Sequence, residues 1–138
     1  MNEKYIKKLE LNKIIDVLES YCVTEIGKQL LHNIEPSSNK LIVKHLLSET
    51  TQAKNLIAQN SNSPIADVQD FSQISKLLKC NMTLSCGNLL KVGHILKISR
   101  NLKSYFSSLD DTSKYDSIEN YFDNLYTNID LENNIFKS

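Results

Sequence analysis

The side chains of this sequence with the most reactive chemistry are three histidines, three cysteines and a scatter of acids, and their spacing assembles no catalytic group. Cys86 stands in what reads as the first turn of a helix, where the helix dipole favours a thiolate. Its candidate base, His94, lies two turns further along the same predicted helix, roughly 12 Å away at 1.5 Å per residue, too far for a nucleophile and its base. Cys80 and Cys86 are separated by five residues and there is no C-x-x-C or H-x-x-x-H pair, so the spacing of a structural zinc site is missing. His32, His45 and His94 fall on three different predicted helices among apolar neighbours, the setting of edge-of-core histidines with a satisfied hydrogen bond.

Phosphate chemistry is equally unsupported. There is no G-x-x-x-x-G-K-[ST] loop, and Gly27, Gly87 and Gly93 are too scattered to build a glycine-rich one. Gly27-Lys28 reads as a packing glycine beside a solvated lysine. No catalytic, cofactor-binding or metal-ligating residue is therefore assigned. What remains is charge: Lys91, Lys97, Arg100 and Lys103 lie on one predicted helix, the last three at three-residue spacing on one face, and these four are the expected nucleic-acid contacts. No aromatic alternates with them to stack on bases, and a row of cations is also what any solvated helix face shows.

The elements that would carry these residues are helices. Three glycines, two prolines and no tryptophan in 138 residues leave little turn chemistry for a strand-rich fold, while 41% hydrophobic and 23% charged residues describe a globular chain. Apolar residues at spacings of three and four predict a helix from about Glu10 to Tyr21 and a second from a Thr24 cap to Pro36. A long helix follows from Ser38 or Asn39 to Gln59, with Thr50 and Ala53 small enough to admit a close neighbour. Pro64 to Val68 reads as loop, and Asp70 or Ser72 should cap a short helix through Leu78. Ser85 caps a second long helix with two adjoining apolar stripes, which implies cover on more than one side; Asp110 to Ser113 break it. A helix around Ile118–Leu125 and an unfinished one ending in Ile135 and Phe136 complete an all-α, elongated bundle of about six helices. It is expected to form a single helical domain over residues 1–138.

Sixteen basic and sixteen acidic side chains cancel, so no global charge attracts polyanions or anionic lipid, although residues 45–109 lean basic and the tail from Asp110 leans acidic. The start lacks the apolar core of a signal peptide, no run approaches the ~18 apolar residues of a membrane span, and three cysteines form no disulfide framework. A cytoplasmic protein with reduced thiols and no membrane partner is expected.

Taken in order, Leu9-Glu10-Leu11-Asn12-Lys13-Ile14, Thr24-Glu25-Ile26-Gly27-Lys28, Glu49-Thr50-Thr51-Gln52-Ala53, Asp70, and Leu84-Ser85 followed by Asn88-Leu89-Leu90 resemble the amino-terminal region of type-two MutS proteins, the branch lacking the mismatch-recognition domain. The resemblance runs from residue 3 to residue 136 and rests on the order and spacing of these motifs, since each alone is a helix start with an apolar pattern. Pro64-Ile65-Ala66-Asp67 and Cys86-Gly87-Asn88 depart from the family's pattern in the loops and leave the helical framework.

The resemblance implies the start of a core and lever region, with ATP and Mg bound by a dimeric ATPase and an Smr endonuclease domain elsewhere in the full-length protein. It also implies a homodimer that binds branched DNA and suppresses homologous recombination, or binds ribosomes and rescues stalled translation. The implied partners of this piece are then the remainder of its own polypeptide and, through that, DNA or the ribosome, with rigid helices near residues 39–59 and 85–108 as lever elements. The alternative is a free-standing helical adaptor that offers an apolar groove to a partner.

Overall fold

The computed structural model describes residues 10–59, 68 and 71–137. Seven α-helices are present among them: α1 Leu11–Tyr21, α2 Glu25–His32, α3 Lys40–Gln59, α4 Ser72–Lys79, α5 Cys86–Ser107, α6 Asp116–Asp123 and α7 Ile129–Lys137, with a 3-10 turn at Thr112–Tyr115 before α6. There is no strand among the described residues, and the fold is all-α. Contacts gather the chain into two compact units, with α1 and α2 in one and α3 to α7 in the other.

In the first unit, Thr24 caps α2 as its sequence position predicts, its Oγ1 accepting the Gly27 N–H at 3.0 Å. The helix stops at His32, short of Pro36, because Asn33 takes over its end: the Asn33 side-chain amide donates to the Gln29 carbonyl, and its N–H reaches back to Leu30 and Leu31. Ile34 is thereby left outside the helix. Glu19 Oε2 of α1 and His32 Nε2 of α2, 3.3 Å apart, join the two. Neither helix has a buried residue, and Ile14, Val17, Leu18 and Leu30 are exposed.

The second unit has a core of Leu56 from α3, Phe106 from α5, Tyr115 and Ile118 from the 3-10 turn and α6, with Ala53, Tyr105, Leu109 and Phe122 packed around it. Burying each large side chain contributes about 1.5–3 kcal/mol. Phe106 stacks on Phe122 at 4.2 Å between ring centres and meets Tyr115 edge-on at 6.3 Å. Asp111 caps the 3-10 turn, and this turn swings Tyr115 inward, where its hydroxyl donates to Gln59 Oε1 at 2.7 Å. Tyr115 is the most buried aromatic of the core and escaped the periodicity, because it precedes the helical repeat of α6.

Beyond the core, α4 begins at Ser72 with Phe71 in the cap position and no side-chain cap bond there. Asp70 and most of the loop expected from Pro64 lie outside the described residues. The helix ends where Asn81 adopts a left-handed backbone (φ 54°), with Asn81 N–H bonded to the Leu78 carbonyl and Met82 N–H to Leu77, the two bonds of a Schellman close. Ser85 caps α5, its Oγ accepting the Asn88 N–H at 3.3 Å.

Candidate interaction surface

The four cations singled out by the sequence do not all face solvent. Lys91 and Lys97 are exposed. Arg100 makes a two-pronged pair with Glu132 of α7: Nε donates to Oε2 at 2.9 Å and Nη2 to Oε1 at 2.8 Å. Lys103 Nζ donates to the carbonyls of Asp123 and Leu125, 3.3 and 3.4 Å away, at the end of α6. The three-residue spacing does put Lys97, Arg100 and Lys103 on related faces, and two of the three are used to hold neighbouring helices.

Glu132 is only 6% exposed, the one buried charged residue of the described chain. The hydrogen bond from Arg100 lowers its carboxyl pKa, and the positive charges of Arg100 and Lys97 act in the same direction against the effect of burial. A carboxylate in this setting is stable because both oxygens are satisfied by a planar guanidinium. Sequence reasoning did not find Glu132, since its partner lies on a distant helix and an acid in a first helical turn is usually solvated.

Gly93 completes the seat for α7. A Cβ placed there would stand 3.0 Å from Ile135 Cγ2 and 3.0 Å from Phe136 Cζ, so the absent side chain is what lets these two residues approach α5. Phe136 also meets the His94 ring edge-on at 5.4 Å. Ile135 and Phe136, which the sequence left without a following element, thus have their partners on α5. The clue available was the glycine itself, costly inside a helix unless something packs on it.

The histidines and thiols show no assembled chemistry. His45 Nε2 is 3.3 Å from Glu49 Oε1, and all three histidines are exposed, further out than the edge-of-core position expected. Cys22, Cys80 and Cys86 are free thiols. Among the described residues no three His, Cys, Asp or Glu side chains converge as metal ligands, and no helix is long and apolar enough to cross a membrane.

The remaining feature is open apolar surface. Between α3, α5 and α6 runs a groove of about 350 Å³, lined by Thr50, Ala53, Ile57, Leu102, Tyr121 and Phe122 among others, with Glu49 at its rim. Polar contacts bind α6 to α3 beside it. Gln52 donates to Asp116 at 2.6 Å and accepts from the Ser117 N–H at 3.0 Å, Ser48 and Ser117 share a hydroxyl bond, and Tyr121 donates to Glu49 at 2.8 Å. The bond from Gln52 lowers the Asp116 pKa, and acceptance by Glu49 raises that of Tyr121. Along α3, Leu41, Ile42, Leu46, Leu47 and Ile57 are exposed.

Comparison with known proteins finds relatives named Endonuclease MutS2. The chain is 31% identical over 115 residues, 83% of its length, to a protein named Endonuclease MutS2 of Alkaliphilus metalliredigens. It is 29% identical over its full length to one of that name from Clostridioides difficile, and 34% identical over 78% of its length to one from Acetivibrio thermocellus. The chain spans 15%, 18% and 14% of these relatives. No family model matches the chain. No solved structure matches it either.

Proposed function

Taking the chain as the MutS2-related segment that these relatives show it to be, we propose that it is a non-catalytic structural piece of a MutS2-type protein. The observation that supports this most directly is the extent of similarity: between 78% and 100% of the chain aligns, yet it accounts for less than a fifth of each relative. The exposed apolar residues of α1 and α2, Ile14, Val17, Leu18 and Leu30, then pack against the remainder of the polypeptide.

In this reading the segment belongs to the core and lever region, and α3 and α5 serve as its stiff members. The ATPase with its ATP and Mg, the dimer it forms and the endonuclease lie in other parts of the polypeptide, within the cytoplasm. The whole protein acts on branched DNA to suppress homologous recombination, or on ribosomes to rescue stalled translation. Lys91 and Lys97 are the segment's available phosphate contacts, with Arg100 and Lys103 tied to α7 and α6. The alternative, a free-standing helical adaptor, draws on the open groove beside α3.

An antibody against this chain, used on cell lysate, separates the two readings. A band several times heavier than 15.8 kDa supports the MutS2-type protein, and a band at 15.8 kDa overturns it in favour of the adaptor. In the full-length protein, replacing Lys91 and Lys97 by Glu should weaken binding to branched DNA or ribosomes and flatten its salt dependence. Unchanged affinity for both would remove nucleic-acid contact from the segment.

A further inference from the structure

Glu49 and Glu132 are both carboxylates of the α3–α7 unit largely withdrawn from water, and they are compensated very differently. Glu132 is met on both oxygens by the Arg100 guanidinium. The side chain of Glu49 is 16% exposed, and among the described residues no lysine or arginine pairs with it. Its Oε1 accepts the Tyr121 hydroxyl at 2.8 Å and stands 3.3 Å from Nε2 of the exposed His45, while Oε2 accepts no hydrogen bond among the described residues. An ionised carboxylate offers about four acceptor positions, so Glu49 retains the capacity to hold a cation.

The groove between α3, α5 and α6 decides what kind of cation that is. Its volume of about 350 Å³ lies within the range, about 300–1,000 Å³, of pockets that take small organic ligands. The buried Leu56 and Ile118 line it together with Leu102, Tyr105 and Phe122, and Glu49 stands at the rim. Hydroxyls in the wall are spent on the protein itself: Thr50 donates to the Leu46 carbonyl at 2.9 Å and Tyr105 to the Leu56 carbonyl at 3.3 Å. What is left for a ligand is apolar and aromatic surface ending in one negative charge.

We propose that this groove is a binding site for a small amphipathic amine, an aromatic ring system carrying an ammonium on a short alkyl chain. The ring replaces water against Leu102, Ile118 and Phe122, and the ammonium binds Glu49 Oε2. A neutral ligand of the same shape would strip water from the carboxylate and return no charge, and an anionic one would add repulsion. The groove thereby selects for the cation as well as for the ring. The inference rests on side chains of α3, α5 and α6 alone, so it holds or fails independently of the MutS2 reading.

Ligands that share one body and differ in charge test it. Tryptamine is the cation, 3-ethylindole its neutral counterpart and indole-3-propionate the anion, each titrated into the 15N-labelled 138-residue chain and followed by amide shifts. Tryptamine should shift amides around Glu49, Leu102 and Phe122 with Kd on the order of millimolar. 3-Ethylindole should bind about tenfold more weakly, and indole-3-propionate more weakly still. E49Q keeps an acceptor for the Tyr121 hydroxyl, and should weaken tryptamine about tenfold and erase its advantage over 3-ethylindole. Thr50→Trp puts an indole of the chain's own at the groove wall and should displace the ligand. Circular dichroism should show unchanged helicity in both variants. Equal binding of tryptamine and 3-ethylindole, or tryptamine binding indifferent to E49Q, overturns the proposal and leaves the groove to an uncharged partner. No shift with any of the ligands well above the millimolar range overturns it too, and leaves the groove to a protein segment.

Discussion

The α1–α2 pair and the α3–α7 unit are made from helices of the same apolar periodicity, yet among the described residues only the second buries side chains. The first has no buried residue in its two described helices, which are linked by a turn capped at Thr24 and by a Glu19–His32 pair. The second buries Leu56, Phe106, Tyr115 and Ile118 together and satisfies a buried carboxylate as well. Periodicity tells which face of a helix can be covered. Whether it is covered depends on how many other elements the chain brings to it.

The sharpest way to break this contrast is to remove a core ring. Phe106→Ala should destabilise the α3–α7 unit by about 3–5 kcal/mol, read from denaturant unfolding, whereas Leu30→Ala in α2 should stay within about 0.5 kcal/mol. Similar costs for the two would mean that the first unit has a core of its own. Next comes the seat of α7. Gly93→Val inserts atoms where Ile135 and Phe136 already lie, and should cost about 1–3 kcal/mol with faster amide exchange throughout α7.

A pH titration tests the same seat without changing its shape. The folded pKa of Glu132 lies below the ordinary carboxylate value, so its contribution is fully present above about pH 4.5 and is lost as pH falls through the lowered folded value. Glu132→Gln should remove this acid-side slope from the unfolding curve while sparing the core packing around Phe106. A slope that persists in the Gln variant would assign it to another group. A small, local effect belongs to the first unit: Thr24→Ala should cost about 1 kcal/mol, confined to α2 and visible as faster exchange of the Gly27 amide.

How far the sequence was legible follows the same division between local and distant causes. Caps at Thr24 and Ser85 and the extents of α3 and α5 were readable because a cap and an apolar stripe depend on neighbours three or four residues away. The early stop of α2 was not, because Asn33 ends it with a side-chain bond that propensity does not register. The similarity to MutS2 proteins was legible from motif order, as the relatives bear out. The surface was harder. Lys97, Arg100 and Lys103 look alike on a helical wheel, but Glu132 and the end of α6 select two of them, and those partners lie 32 and at least 20 residues away in the chain. Gly93 passed as an isolated glycine for the same reason: its partners belong to a helix that only the fold delivers.

Helix α5 runs unbroken for 22 residues, about 33 Å, with Gly93 and Arg100 addressing α7 and Phe106 addressing the core. The two sets of partners are therefore locked in phase around a single axis. One residue inserted between Arg100 and Phe106 would turn one set by about 100° against the other, so that α7 and the core could not both be engaged, whereas seven would nearly restore the angle but move the two sets about 10.5 Å apart along the axis. Length in this stretch is thus fixed in both angle and rise, a constraint on insertions and deletions much tighter than the tolerance of its solvent-facing positions to substitution.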